Sequence, residues 1–155
     1  MSHPQRKFLE QDLADLLLKL EPDAPARWGK MDARQMVEHL TDFFHVSSGK
    51  IKFDLVTPEE HLPKFIEFLR SDKEFRENTK APDSVLGENP LPWRTADLPA
   101  AREKLLQAIR DFYAYYEMPD ATPTVHPVFG PLSLEDWQLL HNKHVRHHLR
   151  QFSLT

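Results

Sequence analysis

The stretch Ser133-Leu-Glu-Asp-Trp137-Gln-Leu-Leu-His141-Asn-Lys-His144-Val-Arg-His147-His148-Leu-Arg-Gln151-Phe152 reads as one long helix opened by a capping-box pattern at Ser133. It holds four of the nine histidines of the chain. At about 100° per residue, His141, His144 and His148 fall within an arc of about 60°, beside Trp137 and close to Gln151, with His147 at the edge. Leu140, Val145 and Phe152 flank the same arc, which directs the histidine face at the core. Buried imidazoles need hydrogen-bond partners, so several on one stripe are costly as filler. An i, i+4 pair such as His144 and His148 can instead grip one metal ion.

The rest of the chain supplies the frame. Its 155 residues make one domain, spanning 1–155, and 40% hydrophobic with 28% charged content is near globular averages. A formal net charge of -4 argues against a dedicated nucleic-acid binder. Lys143, Arg146 and Arg150 form a basic run with the histidines, but the helical wheel sends them outward and the histidines inward. Cysteine is absent, which removes thiolate ligands and a protein-borne sulfur nucleophile. Any metal site must use His, Asp or Glu. The start, MSHPQRKF, lacks a signal-peptide core, and no segment approaches the roughly 18 apolar residues of a membrane span, so the cytoplasm is the expected compartment.

Helical periodicity recurs upstream between proline-rich connections. Leu9, Leu13, Leu16, Leu17 and Leu20 follow Pro4 at helical spacing until Pro22 and Pro25 stop the pattern. Asp32 with Gln35 predicts the cap of a second helix, whose stripe is Met36, Val37, Leu40, Phe43 and Phe44, ended at Gly49. Ile51, Phe53 and Leu55 alternate as a short extended piece. A helix restarts near Pro63 with Leu62, Phe65, Ile66 and Leu69 as its face. From Ser71 to Arg94 periodicity fades, and this stretch is read as cover walling a pocket. Asp97 caps a helix over Leu98 to Met118. The second proline-rich connection, Pro119 to Pro131, contains the turn His126-Pro-Val-Phe-Gly130. These helices suggest an all-α four-helix bundle with long proline-rich connections.

Among the remaining histidines, His39 alone is predicted to point inward from a helix, whereas His45 falls on the opposite face. Glu38 and Asp42 lie near His39 but off the apolar arc, and read as solvated surface. Three neutral imidazoles with one or two open positions describe a catalytic rather than a closed structural metal site.

Inward His39, Trp137, His144-x-x-x-His148 and Gln151 together resemble the DinB/YfiT-like metal-dependent four-helix-bundle superfamily. Its usual pattern is one early-helix histidine, then His-x-x-x-His on the last long helix, often followed by Arg-Gly-Gln. Here Leu149-Arg150 replaces Arg-Gly and Gln151 keeps its place. His126-Pro-Val-Phe-Gly130 with Trp137 resembles a DinB-like subgroup of unknown function, and the likeness runs roughly from Trp28 to Phe152.

The resemblance implies His39, His144 and His148 as the metal triad for a divalent transition ion, zinc or nickel foremost. His141 is left as a candidate acid or base, and Gln151, His126 and Trp137 as supporting or pocket residues. Relatives in that superfamily include transferases and isomerases that use low-molecular-weight thiols. Two enzyme readings follow, a thiol-dependent transferase and a metal-water hydrolase, both acting on a small molecule. A non-catalytic metal- or small-molecule-binding bundle is the alternative. A homodimer is compatible with all three. No phosphate-cradling glycine loop or nucleophile elbow is present.

Overall fold

The computed structural model describes residues 3–79, 82–87 and 89–155. Pro4 opens the first helical run, where a missing N–H costs nothing. This run is α1 (Pro4–Lys7), a π-helical stretch Phe8–Asp12 and α2 (Leu13–Leu17). It buries Leu9, Leu13 and Leu17 completely and stops before the prolines at 22 and 25. In α3 (Ala33–Ser47) the predicted capping box is realised. Asp32 Oδ1 accepts from Gln35 N at 2.8 Å, and Gln35 Oε1 accepts from Asp32 N at 3.0 Å. Pro63 sits in the first turn of α4 (Leu62–Arg70), and α5 (Asp83–Leu86) is a single turn. Asp97 caps α6 (Leu98–Glu117) by accepting from Ala100 N at 2.9 Å. Ser133 caps α7 (Leu134–Gln151).

Between α6 and α7 the chain forms a β-hairpin, β1 (Thr124–His126) against β2 (Gly130–Leu132), antiparallel with His126 opposite Gly130. This corrects the all-α four-helix-bundle expectation. The fold is mostly helical with a small two-stranded sheet, its first helical run is interrupted, and α4 has only nine residues. The hairpin exists for local reasons. His126 Nδ1 accepts from the backbone N–H groups of Val128 (3.0 Å) and Phe129 (3.3 Å), and Gly130 takes φ +82°, which a side chain would resist. The alternation over Ile51 to Leu55 yields no strand, although Val56 N donates to Pro127 O at 2.8 Å beyond it.

The core gathers Leu9, Leu13 and Leu17 with Met36, Leu40, Phe44, Leu105, Ile109, Phe112 and Trp137. α3 packs along α6, and α7 packs against α3 and α4. Thr124 ties the hairpin to three helices. Its Oγ1 donates to Ser47 O (2.9 Å), accepts from Trp137 Nε1 (2.7 Å) and meets Tyr116 Oη (2.9 Å). No helix among the described residues is long and apolar enough to cross a membrane.

Segment 71–94, in which Lys80, Ala81 and Glu88 are outside the described residues, is tied to α7 at its start and to α3 at its end. Basic side chains of α7 hold its first part. Lys143 donates to the carbonyls of Ser71 (2.7 Å) and Lys73, and Arg150 pairs with Glu74 at 3.4 Å. The outward part of the basic run is thus partly spent on the protein's own backbone.

Candidate metal centre

α3 and α7 bring His39, His144 and His148 together, and their ligand-capable nitrogens all lie within 4.8 Å of one another. His144 Nε2 stands 2.9 Å from His39 Nε2 and 3.1 Å from His148 Nε2. Gln151 sets the chemistry of this contact. Its amide nitrogen donates to the Trp28 carbonyl at 2.8 Å, so its Oε1 faces His148 Nδ1 at 2.7 Å and must accept a hydrogen bond from it. Nε2 of His148 is then a bare lone pair turned toward the other two rings. A single N–H on His144 cannot serve both 2.9 and 3.1 Å neighbours well. One cation facing three lone pairs satisfies all of them.

Nitrogens at about 2.0–2.1 Å from one ion stand roughly 2.9–3.4 Å apart for angles between right-angled and tetrahedral. The two separations from His144 fall in that range, and the group of three, all within 4.8 Å of one another, is compatible with holding a divalent ion. Burial keeps the ligands in the required neutral form. It lowers the pKa of His39 to about 4, with the neighbouring Asp42 opposing, and holds His144 and His148 well below the ordinary imidazole value.

The triad lies on the wall of a cavity of about 1850 Å³, lined by aromatic and aliphatic side chains together with charged ones such as Glu38, Asp42, Lys64, Arg76 and Arg94. Segment 71–94 forms much of the opposite wall, as expected from its lack of periodicity. A carboxylate clasp holds its far end. Glu38, only 5% exposed, accepts from the backbone N–H groups of Arg94 and Thr95 and from the Thr95 hydroxyl. Arg94 in turn forks onto Asp42 with two 2.9 Å bonds. Burial pushes the Glu38 carboxyl up, but these donors and the Arg94 charge bring it below its ordinary value. Glu38 and Asp42 are therefore a structural anchor, contrary to the expectation of solvated surface. The sequence signal was Arg94-Thr95 arriving after a long irregular stretch.

The other candidates divide. His141 is 1% exposed, stacked on Phe44 (centroids 3.7 Å apart) and beside Trp137 (5.1 Å). Its Nε2 is 2.9 Å from Ser47 Oγ, which gives its own proton to Phe44 O. His141 Nε2 therefore donates, and burial holds the ring neutral. This geometry suits an anchored core ring better than a mobile acid or base. His126, placed by β1, lines the cavity beside Phe43, Phe129 and Trp137. Trp137 is fully buried between His126 and His141.

His147 stays outside the triad, and it is buried. It packs on Trp28 and Phe75, and neither ring nitrogen has a hydrogen-bond partner among the described residues. Burial lowers its pKa, with the Arg150 charge acting in the same direction and Glu77 and the Phe75 backbone opposing. Sequence reasoning missed Gly29. A Cβ there would stand 2.9 Å from Gln151 Nε2, so the absence of a side chain lets the Trp28 loop close onto the residue that orients His148.

No curated protein and no solved structure matches the chain. Residues 65–155 match the model of a family described as "Protein of unknown function (DUF1569)". That span is more than half of the chain and includes His126, His144, His148 and Gln151, while His39 lies before it. The chain belongs to this family of unknown function, DUF1569.

Proposed function

We propose that this protein is a metal-dependent enzyme acting on a small molecule, with a divalent transition ion, zinc or nickel, held by His39, His144 and His148. The observation that supports it is the meeting of three Nε2 atoms, one fixed as a lone pair by Gln151, on the wall of a large cavity. Such an ion supplies Lewis acidity toward an oxygen or sulfur group. The chain's own contribution is to hold the ligands neutral by burial and to orient His148 through Gln151.

Within this reading the reaction is metal-water hydrolysis or thiol-dependent transfer, the second drawn from the DinB/YfiT-like resemblance. A thiol would have to arrive as a cofactor, because the chain has no cysteine. A cytoplasmic location belongs to the same proposal. A non-catalytic binding module is the second reading, and the engagement of His141 with Ser47 favours it by removing one candidate acid or base.

The test is elemental analysis of protein purified without an affinity tag, repeated for His144→Ala and His148→Ala. Bound metal in the parent and its loss in both variants is expected. Unchanged metal in both variants ends the assignment. Thermal stability of the metal-loaded protein across biological thiols then separates the reactions, since a ligand binding only the folded state raises Tm.

A further inference from the structure

His126 has one ring nitrogen fully used and one free. Nδ1 accepts from two backbone N–H groups, Val128 and Phe129, so it carries no proton of its own. The proton must sit on Nε2, which has no protein partner among the described residues. The residue is 9% exposed and lines the cavity. Its ring neighbours are the apolar rings of Phe43, Phe129 and Trp137. Burial alone lowers its pKa to about 3, with no charged side chain close enough to contribute. The ring is therefore a fixed, neutral donor at neutral pH. Phe43 separates it from the candidate metal centre, since the Phe43 ring lies 5.5 Å from His126 and 5.2 Å from both His39 and His144.

A donor in this setting selects its acceptor. A carboxylate or phosphate would lose its hydration beside three apolar rings and meet no counter-charge there. A carbonyl loses far less and gains a hydrogen bond from a donor that needs no reorganisation. The rest of the wall is mixed: Leu91 and Val56 expose apolar surface where they line the cavity, and Lys64, Lys73 and Arg76 line it as well, so the selection against charge acts at the His126 end.

We infer that the cavity takes an uncharged, largely apolar carbonyl compound, such as an aryl or alkyl ketone, ester or amide, whose oxygen accepts from His126 Nε2–H one phenyl ring away from the triad. The inference names a substrate class for the proposed enzyme, and the hydrogen bond itself does not require the ion.

Two substitutions separate the two nitrogens of the ring. His126→Asn places an oxygen near Nδ1, keeping the acceptor that holds the hairpin turn, and deletes Nε2–H. His126→Gln keeps an N–H near Nε2. The probe is benzophenone isotope-labelled at its carbonyl carbon, with binding followed by calorimetry and the carbonyl stretch by difference infrared spectroscopy. Both are measured on chelator-treated and zinc-loaded protein.

The expected result is a carbonyl stretch lowered from its value in hydrocarbon solvent, with or without zinc. That shift should be lost in His126→Asn and partly kept in His126→Gln, with affinity for benzophenone falling roughly threefold to tenfold in the Asn variant. Zinc content should be unchanged in both. A shift seen in protein whose triad takes up no zinc even on loading supports the donor and rejects the metal reading. An identical carbonyl frequency in parent and His126→Asn, or no benzophenone binding by folded parent protein, overturns the inference.

Discussion

Gln151 accepts from His148 Nδ1 at 2.7 Å while its amide nitrogen donates to the Trp28 carbonyl at 2.8 Å, so one side chain couples the loop before α3 to a ligand of the candidate centre. Because the Trp28 carbonyl can only accept, the amide cannot flip, and His148 is held with its Nε2 lone pair toward His39 and His144.

Gln151→Leu should therefore keep the metal stoichiometry but weaken affinity roughly 10- to 100-fold, the usual effect of losing a residue that orients a ligand. Competition with a calibrated chelator measures it. Affinity equal to that of the parent would show that His148 needs no such support.

Gly29→Ala tests the same relationship from the other side. The glycine has φ +82°, and an added Cβ would meet Gln151 Nε2 at 2.9 Å. Backbone strain alone costs about 1–2 kcal/mol, visible as a lower urea midpoint. Displacement of Gln151 should add a loss of metal affinity in the direction of Gln151→Leu. Destabilisation without an affinity change would mean that the loop yields and Gln151 does not.

Much of this was legible in the sequence because it rests on local signals. Asp32 and Gln35 announced α3, Ser133 announced α7, and helical spacing put His144 and His148 on one arc with Gln151. His39 was legible as the inward histidine of an apolar stripe. What escaped depends on contacts distant in sequence or on elements too short for periodicity. Strands of three residues around His126-Pro-Val-Phe-Gly130 show no alternation to count, so the hairpin was read as a loop. Glu38 lies off the apolar arc of its helix, and only Arg94 and Thr95, more than fifty positions on, make its burial tolerable. His141 sits on the same arc as the ligands, yet Ser47 and the Phe44 ring engage it first.

Thr124→Val should destabilise the junction of the hairpin with α3, α6 and α7. The substitution keeps the shape but leaves Trp137 Nε1 without its acceptor, Ser47 O without its side-chain donor and Tyr116 without one of its partners. Each buried polar group so stranded costs about 1–3 kcal/mol. Tyr116 also reaches Leu132 O at 3.1 Å, so the loss should come mainly from Trp137 and Ser47. Chemical denaturation measures it, and Thr124→Ser, which keeps the hydroxyl, should recover most of the loss. Equal stability of the Val and Ser variants would dismiss the hydroxyl as the link.

Acid should unfold the protein through its buried imidazoles. Burial first, with Asp42 opposing, lowers His39 to about 4, and burial lowers His126 to about 3, from the ordinary value of 6.5 that unfolding restores. Between 6.5 and those folded values the unfolded chain binds more protons, so stability rises with pH there. The stabilisation is whole above pH 6.5 and declines as pH falls toward the folded values. Glu38, held below its ordinary 4.5, acts in the same direction at the acid end. Urea midpoints of chelator-treated protein should be level above pH 6.5 and drop steadily below it. His126→Asn, with one imidazole fewer to protonate, should show a shallower drop. A midpoint that stays constant as pH falls from 6.5 toward 4 would mean that His39 and its neighbours are not held neutral by the fold.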